Sequence, residues 1–266
     1  MTLTRTGAAL AALAMLAGCG AGVATTTATS VTGEVVYESL TRAVYDATTD
    51  TLTISALPFD NGAADATYVR DATLDTNGMK AYVNTGGQRS YVALWGVSNA
   101  GTGSASAGVV ATGDYLSYGF GGNAYGRSGT TTLPTTGLAN YTGRYAGLLT
   151  YDGQTGYDRT SGTVALQVDF VDGKVEGQVT GRQNLTAGTA QNNLSLATAS
   201  IADGKFSGTA TSFSGTTKVE EGSYKGIFAG STGLEIAGII VLTSSAGTLP
   251  TKETGVFVTD TGALLP

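Results

Sequence analysis

Short stretches of alternating apolar and polar residues, separated by turn residues, fill the C-terminal half of the chain. Alternation with a two-residue period predicts half-buried strands, and short turns between them predict antiparallel neighbours. Asp172-Gly173 and Asp203-Gly204 each stand between two such stretches, and Asp-Gly supplies the positive φ angles of a tight hairpin. The eight predicted strands are residues 141–150, 162–170, 174–180, 194–200, 205–213, 221–229, 234–243 and 254–259.

Several of these strands share a motif in which glycine stands two positions from an apolar residue on either side. All three positions face the same side of a strand. Glycine weakens a strand and usually marks a bend or the close approach of another group. A small closed barrel accounts for both the bend and the close approach, because its sheet coils tightly and the missing side chains leave room for aromatic rings. The motif occurs at Tyr141-Gly143-Tyr145, Val175-Gly177-Val179, Tyr224-Gly226-Phe228 and Ile236-Gly238-Ile240.

Less regular strand patterns fill the N-terminal half. Gly86-Gly87 indicates a hairpin between the strands that flank it. The turn-rich segment 130–137 ends this region. The sequence therefore predicts a first β domain over residues 31–132 and a barrel over residues 133–266. The strand candidates of the first domain are residues 31–37, 43–46, 51–56, 79–84, 90–97, 107–111 and 114–120.

A transmembrane barrel is the competing interpretation of eight alternating strands. Such a barrel needs an outward apolar band flanked by aromatic girdles. Here the faces opposite the apolar ones carry amide and charged side chains, among them Gln167, Asp169, Lys174 and Glu176. These sets face water, so the pattern favours a barrel outside the membrane.

Cys19 is the only cysteine, and it closes a short apolar N-terminal segment that carries a single charge, Arg5. A basic start, an apolar stretch and small residues before a cleavage site are typical of a secretory signal. The quartet Leu16-Ala17-Gly18-Cys19 resembles the bacterial lipobox, whose cysteine is acylated and becomes the mature N-terminus. We therefore expect a lipoprotein signal peptide at residues 1–18, lipid attachment at Cys19 and a flexible tether over 19–30. The alternative is a buried free cysteine inside a plain signal peptide.

Composition limits the chemistry that is available. The formal net charge of −6 is scattered, with no basic stripe for a phosphate backbone, so nucleic acid is excluded as a partner. The chain has no histidine, which removes Ser-His-Asp triads and most zinc sites. The carboxylate pairs Asp152 with Asp158 and Glu220 with Glu221 could serve glycoside hydrolysis, but their places at turns and strand starts predict solvated side chains. We expect no enzyme activity, catalytic residue, metal site or cofactor.

Two segments resemble the transferrin-binding protein B-like surface lipoproteins. Residues 133–147 resemble the opening of that family's C-terminal barrel. Residues 222–238 resemble its penultimate hairpin, in which a Tyr-x-Gly-x-Phe strand leads into a Glu-x-x-Gly strand. The resemblance covers roughly residues 133–266. It implies an all-β fold with one handle–barrel unit, a handle-like antiparallel β domain followed by a C-terminal eight-stranded antiparallel β-barrel.

A cluster of aromatic residues with one arginine is the candidate partner-binding site. Aromatic residues and arginine are enriched at binding hot spots. The same residue types can instead pack at the interface between two β domains and hold them together, and the sequence favours this second interpretation. The candidate residues are Trp95, Tyr118, Phe120, Tyr125 and Arg127, with Tyr115 close by in the sequence.

These observations predict a non-enzymatic binding protein that captures a protein or small solute through loops. The lipid anchor makes the membrane a partner, and an outer-membrane transporter is a further candidate partner. Gly20, and not an aspartate, follows the cysteine, which favours the outer membrane by resemblance, with the protein facing either the surface or the periplasm. The alternative function is a structural envelope lipoprotein without a soluble ligand.

Overall fold

A computed structural model of the chain describes residues 29–55, 65–84, 89–244, 246–247 and 249–265. The predicted signal peptide, Cys19, nearly all of the predicted tether and Gly86-Gly87 lie outside the described residues. The described part is all-β, with a single short 3₁₀ helix at Ala72–Leu74. Within it, no helix is long and apolar enough to cross a membrane.

The first half of the chain forms an eight-stranded antiparallel sheet. Its strand order is β2-β9-β8-β7-β6-β5-β4-β3, which curls into a nearly closed, barrel-like sheet, while β1 pairs separately with β10. The strands in this half are β1 (Ser30–Val31), β2 (Glu34–Glu38), β3 (Arg42–Asp46), β4 (Thr51–Ser55), β5 (Asp65–Arg70), β6 (Lys80–Asn84), β7 (Tyr91–Val97), β8 (Ala105–Thr112), β9 (Phe120–Arg127) and β10 (Thr131–Thr132).

The second half forms a closed eight-stranded antiparallel barrel, as the sequence predicted. Its order is β12-β11-β19-β18-β17-β16-β15-β13, and β12 also pairs with β13 to close the ring, while the short β14 lies at the edge of β13. The strands are β11 (Leu138–Tyr151), β12 (Tyr157–Asp169), β13 (Lys174–Asn184), β14 (Thr189–Ala190), β15 (Leu194–Ala202), β16 (Lys205–Ser214), β17 (Thr217–Ala229), β18 (Glu235–Ser244) and β19 (Thr251–Leu264).

Glycines inside the barrel lie directly beneath aromatic rings. A Cβ atom added at Gly226 would stand 2.2 Å from the ring of Phe206, and one at Gly238 would stand 2.3 Å from the ring of Phe257. Both rings are buried in the barrel core. The glycine motif is therefore explained by space, because these aromatic side chains fill the volume that a neighbouring side chain would occupy.

The two sheets share one buried apolar layer. Strands β7 to β9 cover the outer face of the barrel over β11 and β17 to β19, so this part of the barrel wall has apolar side chains on both sides. Burial of this layer removes water from both partners and is the main attraction between them. Members of the layer include Val92, Leu94, Ala107, Val109 and Tyr125 from the first sheet, and Leu148, Ile227, Ile239, Val256 and Val258 from the barrel.

One strand expected in the first sheet is absent from the described residues, and two observed strands were not predicted. The strand predicted over 114–120 is a loop, and the following strand, β9, begins only at Phe120. Tyr118 and Gly119 both have positive φ angles, 54° and 59°, which reverse the chain before β9. Strands β5 and β9 were not predicted from the sequence. By contrast, the Asp203-Gly204 hairpin was correct, with φ angles of 51° and 67°.

Candidate functional site

Loops from both sheets meet at one end of the molecule, which we call the loop end. The barrel contributes residues 152–156, 185–193, 215–216, 246–247 and 249–250, and the first sheet contributes the segment 113–119. Backbone hydrogen bonds join the two sheets here: the N–H of Gly156 donates to Gly113 at 2.7 Å, and that of Tyr118 donates to Tyr151 at 2.7 Å. The loop end is therefore a single surface built from both sheets.

The segment 113–120, here called the aromatic loop, contains the exposed part of the candidate site. The rings of Tyr115 and Phe120 meet edge to face with centroids 4.5 Å apart. The guanidinium of Arg89 lies 4.5 Å from the Tyr115 ring centroid, and its Nη1 donates to the carbonyl of Asp114 at 2.9 Å. Leu116 stands next to this cluster with 63% of its surface exposed. The loop thus presents an exposed leucine that directly follows Tyr115 in the chain, and Tyr115 itself contacts a cation and a second ring.

The local sequence explains why the aromatic loop has this shape. Gly119 approaches the preceding strand so closely that a Cβ would lie 1.9 Å from the carbonyl oxygen of Thr112. The carboxylate of Asp114 accepts a hydrogen bond from the backbone N–H of Ser90 at 2.7 Å, and its own N–H donates to the Thr112 hydroxyl at 3.2 Å. These bonds fix the first end of the loop, and the close approach of Gly119 to Thr112 sets the path of the chain at the other end.

Tyr125 and Arg127 lie elsewhere on β9, between the two sheets. Tyr125 belongs to the shared apolar layer, and burial, with help from Glu38, raises its pKa to about 12. Arg127 is 5% exposed, and its Nε donates to the carbonyl of Thr32 at 2.7 Å. Its Nη1 donates to carbonyls across the sheet interface, those of Gly204 at 3.3 Å and Phe228 at 3.4 Å. The donors of Arg127 are engaged within the fold.

Trp95 forms a third location, on β7. Its ring lies 6.4 Å from that of Tyr45 with an interplanar angle of 27°. Both residues line a small cavity of about 210 Å³, together with Lys80 and Arg144. The structure thus brings together Tyr118 and Phe120 at the aromatic loop, and separates them from Trp95 and from the Tyr125–Arg127 pair. Partner binding by these five residues stays a prediction.

The barrel opens at the loop end into a polar cavity of about 470 Å³, which we call the barrel mouth. The Asn184 amide, which lines it, donates to the carboxylate of Asp158 at 2.6 Å, and the Tyr151 hydroxyl donates to the same carboxylate. Among the described residues, no cluster of three or more acidic, histidine or cysteine side chains could hold a metal ion. Residues lining the mouth include Tyr151, Asn184, Gln191, Ser214, Glu220 and Ser244.

A buried charged network lies beneath the mouth. Nη1 and Nη2 of the fully buried Arg182 donate to the Glu220 carboxylate at 2.7 and 3.1 Å, and Nη2 also donates to Glu253 at 2.8 Å. Glu253, 1% exposed, accepts further bonds from the hydroxyls of Tyr145 at 2.5 Å and Thr160 at 2.7 Å. Burial alone would lower the pKa of Arg182, but Glu253 and Glu220 outweigh it and raise that pKa. Burial and Glu253 raise the pKa of Tyr145, so its hydroxyl remains a donor.

Sequence reasoning missed this network. A bulge in β13 at Gly181, whose φ is 61°, shifts the alternation by one residue and turns Arg182 inward. Glu220 also faces the interior, whereas its neighbour Glu221 is exposed, so the two do not form a pair. The signal for Glu220 and Glu253 was present: each lies two residues before an inward glycine, but outside the predicted strand ends.

The fold defines a class of protein, a lobe in which a nearly closed eight-stranded sheet packs against the outside of a closed eight-stranded barrel. Residues 133–260 match the family model described as the C-lobe and N-lobe beta barrels of Tf-binding protein B. The chain has the fold of a transferrin-binding protein B-like lobe, and the resemblance seen in its sequence is confirmed.

Solved structures of transferrin-binding protein B are similar to this chain. The protein from Haemophilus parasuis Hp5 is 14% identical, with a TM-score of 0.52 over 87% of this chain and 45% of that one. The isotype 1 protein from serogroup B Neisseria meningitidis is 18% identical, with a TM-score of 0.42 over 85% of this chain and 43% of that one. This chain therefore spans less than half the length of these structures. No curated protein sequence matches it.

Proposed function

We propose that this chain is a lipid-anchored binding protein of the bacterial outer membrane that captures a protein or a small solute through the loop end. The observation that carries the proposal is the aromatic loop, where Leu116 is 63% exposed beside Tyr115, Phe120 and Arg89. Exposed apolar side chains next to aromatic rings and arginine are typical of interaction sites. The fold of a family named for binding transferrin supports a binding role over an enzymatic one.

The path of the chain supports an orientation for the lobe. The N–H of Leu133 donates to the carbonyl of Thr29 at 3.1 Å, and the N–H of Thr132 donates to Ser231 at 3.1 Å. Ser231 lies in the β17–β18 turn, at the end of the barrel opposite the loop end. A tether over 19–30 would therefore enter the fold far from the aromatic loop and leave the loop end facing away from the membrane.

The anchor and the domain division are part of the proposal and rest on the sequence. Cys19 would carry the lipid, residues 31–132 would form the handle and residues 133–266 the barrel. Expression of Cys19→Ser in the native host should move the protein from the membrane fraction to the soluble fraction, with its thermal unfolding unchanged. Membrane association that survives this substitution would contradict the anchor.

Capture through the aromatic loop can be tested with a pair of matched charge substitutions. Leu116→Asp places a carboxylate at the loop tip, and Val171→Asp places one at a residue that is 68% exposed in the turn at the opposite end. The full chain is immobilised, its partners from host or environmental fluids are identified by mass spectrometry, and each purified partner, with transferrin as one probe, is titrated against both variants. We expect Leu116→Asp to weaken binding at least about tenfold, as for a hot-spot residue, and Val171→Asp to leave it unchanged.

Two results would contradict this function. Equal binding by both variants would exclude the aromatic loop as the capture surface. An envelope that becomes leaky when the gene is deleted, combined with no saturable partner for the wild-type chain, would favour the structural envelope lipoprotein.

A further inference from the structure

The inward-facing side chains of the barrel change from apolar to polar towards the loop end. The opposite end is filled by aromatic and aliphatic side chains, including Tyr141, Leu166, Phe206, Phe228 and Ile236. Small barrels are ordinarily filled by packed side chains, and ligand sites in barrels occur at their mouths. The polar inward positions are Thr160, Arg182, Ser212 and Glu253, followed nearer the mouth by Asp158, Asn184, Ser214 and Glu220.

Negative charge exceeds positive charge in this polar part. The three carboxylates of Asp158, Glu220 and Glu253 accompany one guanidinium, that of Arg182. The nearest lysines of the neighbouring strands face outward. Lys218 pairs with the exposed Glu221, and Lys252 is exposed on the face of β19 opposite Glu253. Among the described residues, the mouth therefore lacks cations to balance its acids.

The lining of the mouth also includes a buried acceptor that lacks a donor. Gln191 lines the cavity, and its Oε1 is buried with no hydrogen-bond partner within the described part of the chain. Glu220 lies at the boundary between the network and the cavity, with 13% of its side chain exposed. Oε2 of Glu220 already accepts hydrogen bonds from Arg182 and from the Ser212 hydroxyl, whereas Oε1 accepts one bond, from Arg182. A carboxylate oxygen accepts more than one hydrogen bond, so Oε1 can still accept a donor from the cavity. A positively charged donor in the cavity would complement Gln191 and Glu220.

We propose that the barrel mouth binds a cationic nitrogen group, a primary ammonium or a guanidinium, against Glu220. The group would donate to the Glu220 carboxylate and to Gln191, and the alkyl part attached to it would lie along Leu149 and Val219, which also line the cavity. The volume of about 470 Å³ is within the range of small-molecule sites. The inference rests on the proposed binding function and names the chemistry that one part of the loop end recognises.

Two sources can present this group: a small free amine, or a lysine or arginine side chain of a captured protein. Butylammonium is the probe for the first source, and butanol is its uncharged control of matching length. A short peptide with one central lysine is the probe for the second, and the same peptide with norleucine is its control. Each is titrated into the full-length protein and followed by two-dimensional NMR of the backbone amides.

Glu220→Gln and Glu221→Gln form a matched pair of variants, because the two residues are neighbours and only Glu220 faces the cavity. We expect butylammonium to give saturable shifts at Asn184, Gln191 and Asn192. Glu220→Gln should raise the dissociation constant about tenfold, as for loss of a charge-assisted hydrogen bond, and Glu221→Gln should not change it. Ser244→Trp narrows the mouth and leaves every charge in place, and it should also abolish the shifts. This variant tests the site if Glu220→Gln does not fold.

The outcomes separate this site from the capture surface. Saturable shifts with butylammonium alone indicate a free amine ligand, and saturable shifts only with the lysine peptide indicate a basic side chain. Equal shifts with butanol, no saturation with either cation, or unchanged affinity in both Glu220→Gln and Ser244→Trp would overturn the proposal. Leu116→Asp leaves the mouth intact, so failure of protein capture by the aromatic loop would not affect these results.

Discussion

The phenol ring of Tyr145 lies directly over Gly255 on the neighbouring strand, where a Cβ atom would stand 2.2 Å from the tyrosine hydroxyl oxygen. That hydroxyl donates to Glu253 at 2.5 Å, two residues earlier on the same strand as the glycine. The glycine thus creates the space in which a buried aromatic residue reaches the charged network. One contact joins the apolar part of the barrel to its polar part.

Gly255→Ala should destabilise the barrel. Tyr145 is fully buried, so its ring cannot move aside without displacing packed neighbours. Overpacking of this kind costs about 1–3 kcal/mol. Urea denaturation measures the change in unfolding free energy, and Gly33→Ala is the control, because its added Cβ would have only ordinary contacts of 3.4 Å or more. Equal stability of the two variants would show that the ring is free to move.

A second buried carboxylate fixes the two sheets together. Glu235 on β18 is 2% exposed and accepts hydrogen bonds from the backbone N–H groups of Thr102 at 2.6 Å and Ser104 at 2.7 Å. Glu235→Gln places a neutral amide against these donors and should cost about 1.5–3 kcal/mol of unfolding free energy. Hydrogen exchange should accelerate at 101–105. Glu221→Gln, on an exposed side chain, should change neither quantity; a comparable loss in that control would contradict a specific role for Glu235.

The barrel could be predicted because its local and global signals agree. The eight strands alternate, and Asp203-Gly204 adopts the positive φ angles that a tight turn requires. The glycine motif follows from packing, because a position that lies beneath a buried aromatic ring has no room for a side chain and is therefore glycine.

The candidate site was harder to predict, because its residues depend on breaks in the alternation. Arg182 faces inward only because of the bulge at Gly181. In β9, glycines at 121, 122 and 126 interrupt the alternation that would identify a strand. At two of them a side chain has no room, because a Cβ at Gly121 or Gly126 would stand 2.3 or 2.6 Å from a carbonyl oxygen of a paired strand. In the sequence these close approaches are visible only as glycines, and no neighbouring residue indicates which strand packs against each glycine.

The charged network predicts that removing one buried charge costs more unfolding free energy than removing two opposite buried charges together. Arg182→Met leaves the buried carboxylate of Glu253 without its cation and should cost about 3–5 kcal/mol. The double variant Arg182→Met with Glu253→Gln removes both buried charges and should recover a large part of that loss. Thermal and urea unfolding of the two variants and of Glu253→Gln complete a double-mutant cycle. Purely additive losses would mean that the two side chains are not energetically coupled.

Raising the pH should destabilise the fold through its buried tyrosines. Burial, with nearby carboxylates, raises the pKa of Tyr125 and of Tyr224 from 10.0 to about 12. Below pH 10 both states keep these protons, so this contribution to stability is fully present. Between pH 10 and about 12 the unfolded chain releases protons that the folded chain retains, and the unfolding free energy falls by up to about 1.4 kcal/mol per pH unit for each tyrosine.

Tyr224→Phe tests this directly. The Tyr224 hydroxyl donates to the carbonyl of Ala197 at 2.6 Å, so the substitution should cost about 1 kcal/mol at neutral pH. Above pH 10 the unfolding free energy of the variant should also fall less steeply than that of the wild type, by the contribution of one tyrosine. The reason is that phenylalanine has no proton to lose in the unfolded state. Urea denaturation from pH 8 to pH 11 measures both effects. A parallel decline in the wild type and the variant would show that Tyr224 ionises equally in the folded and unfolded states.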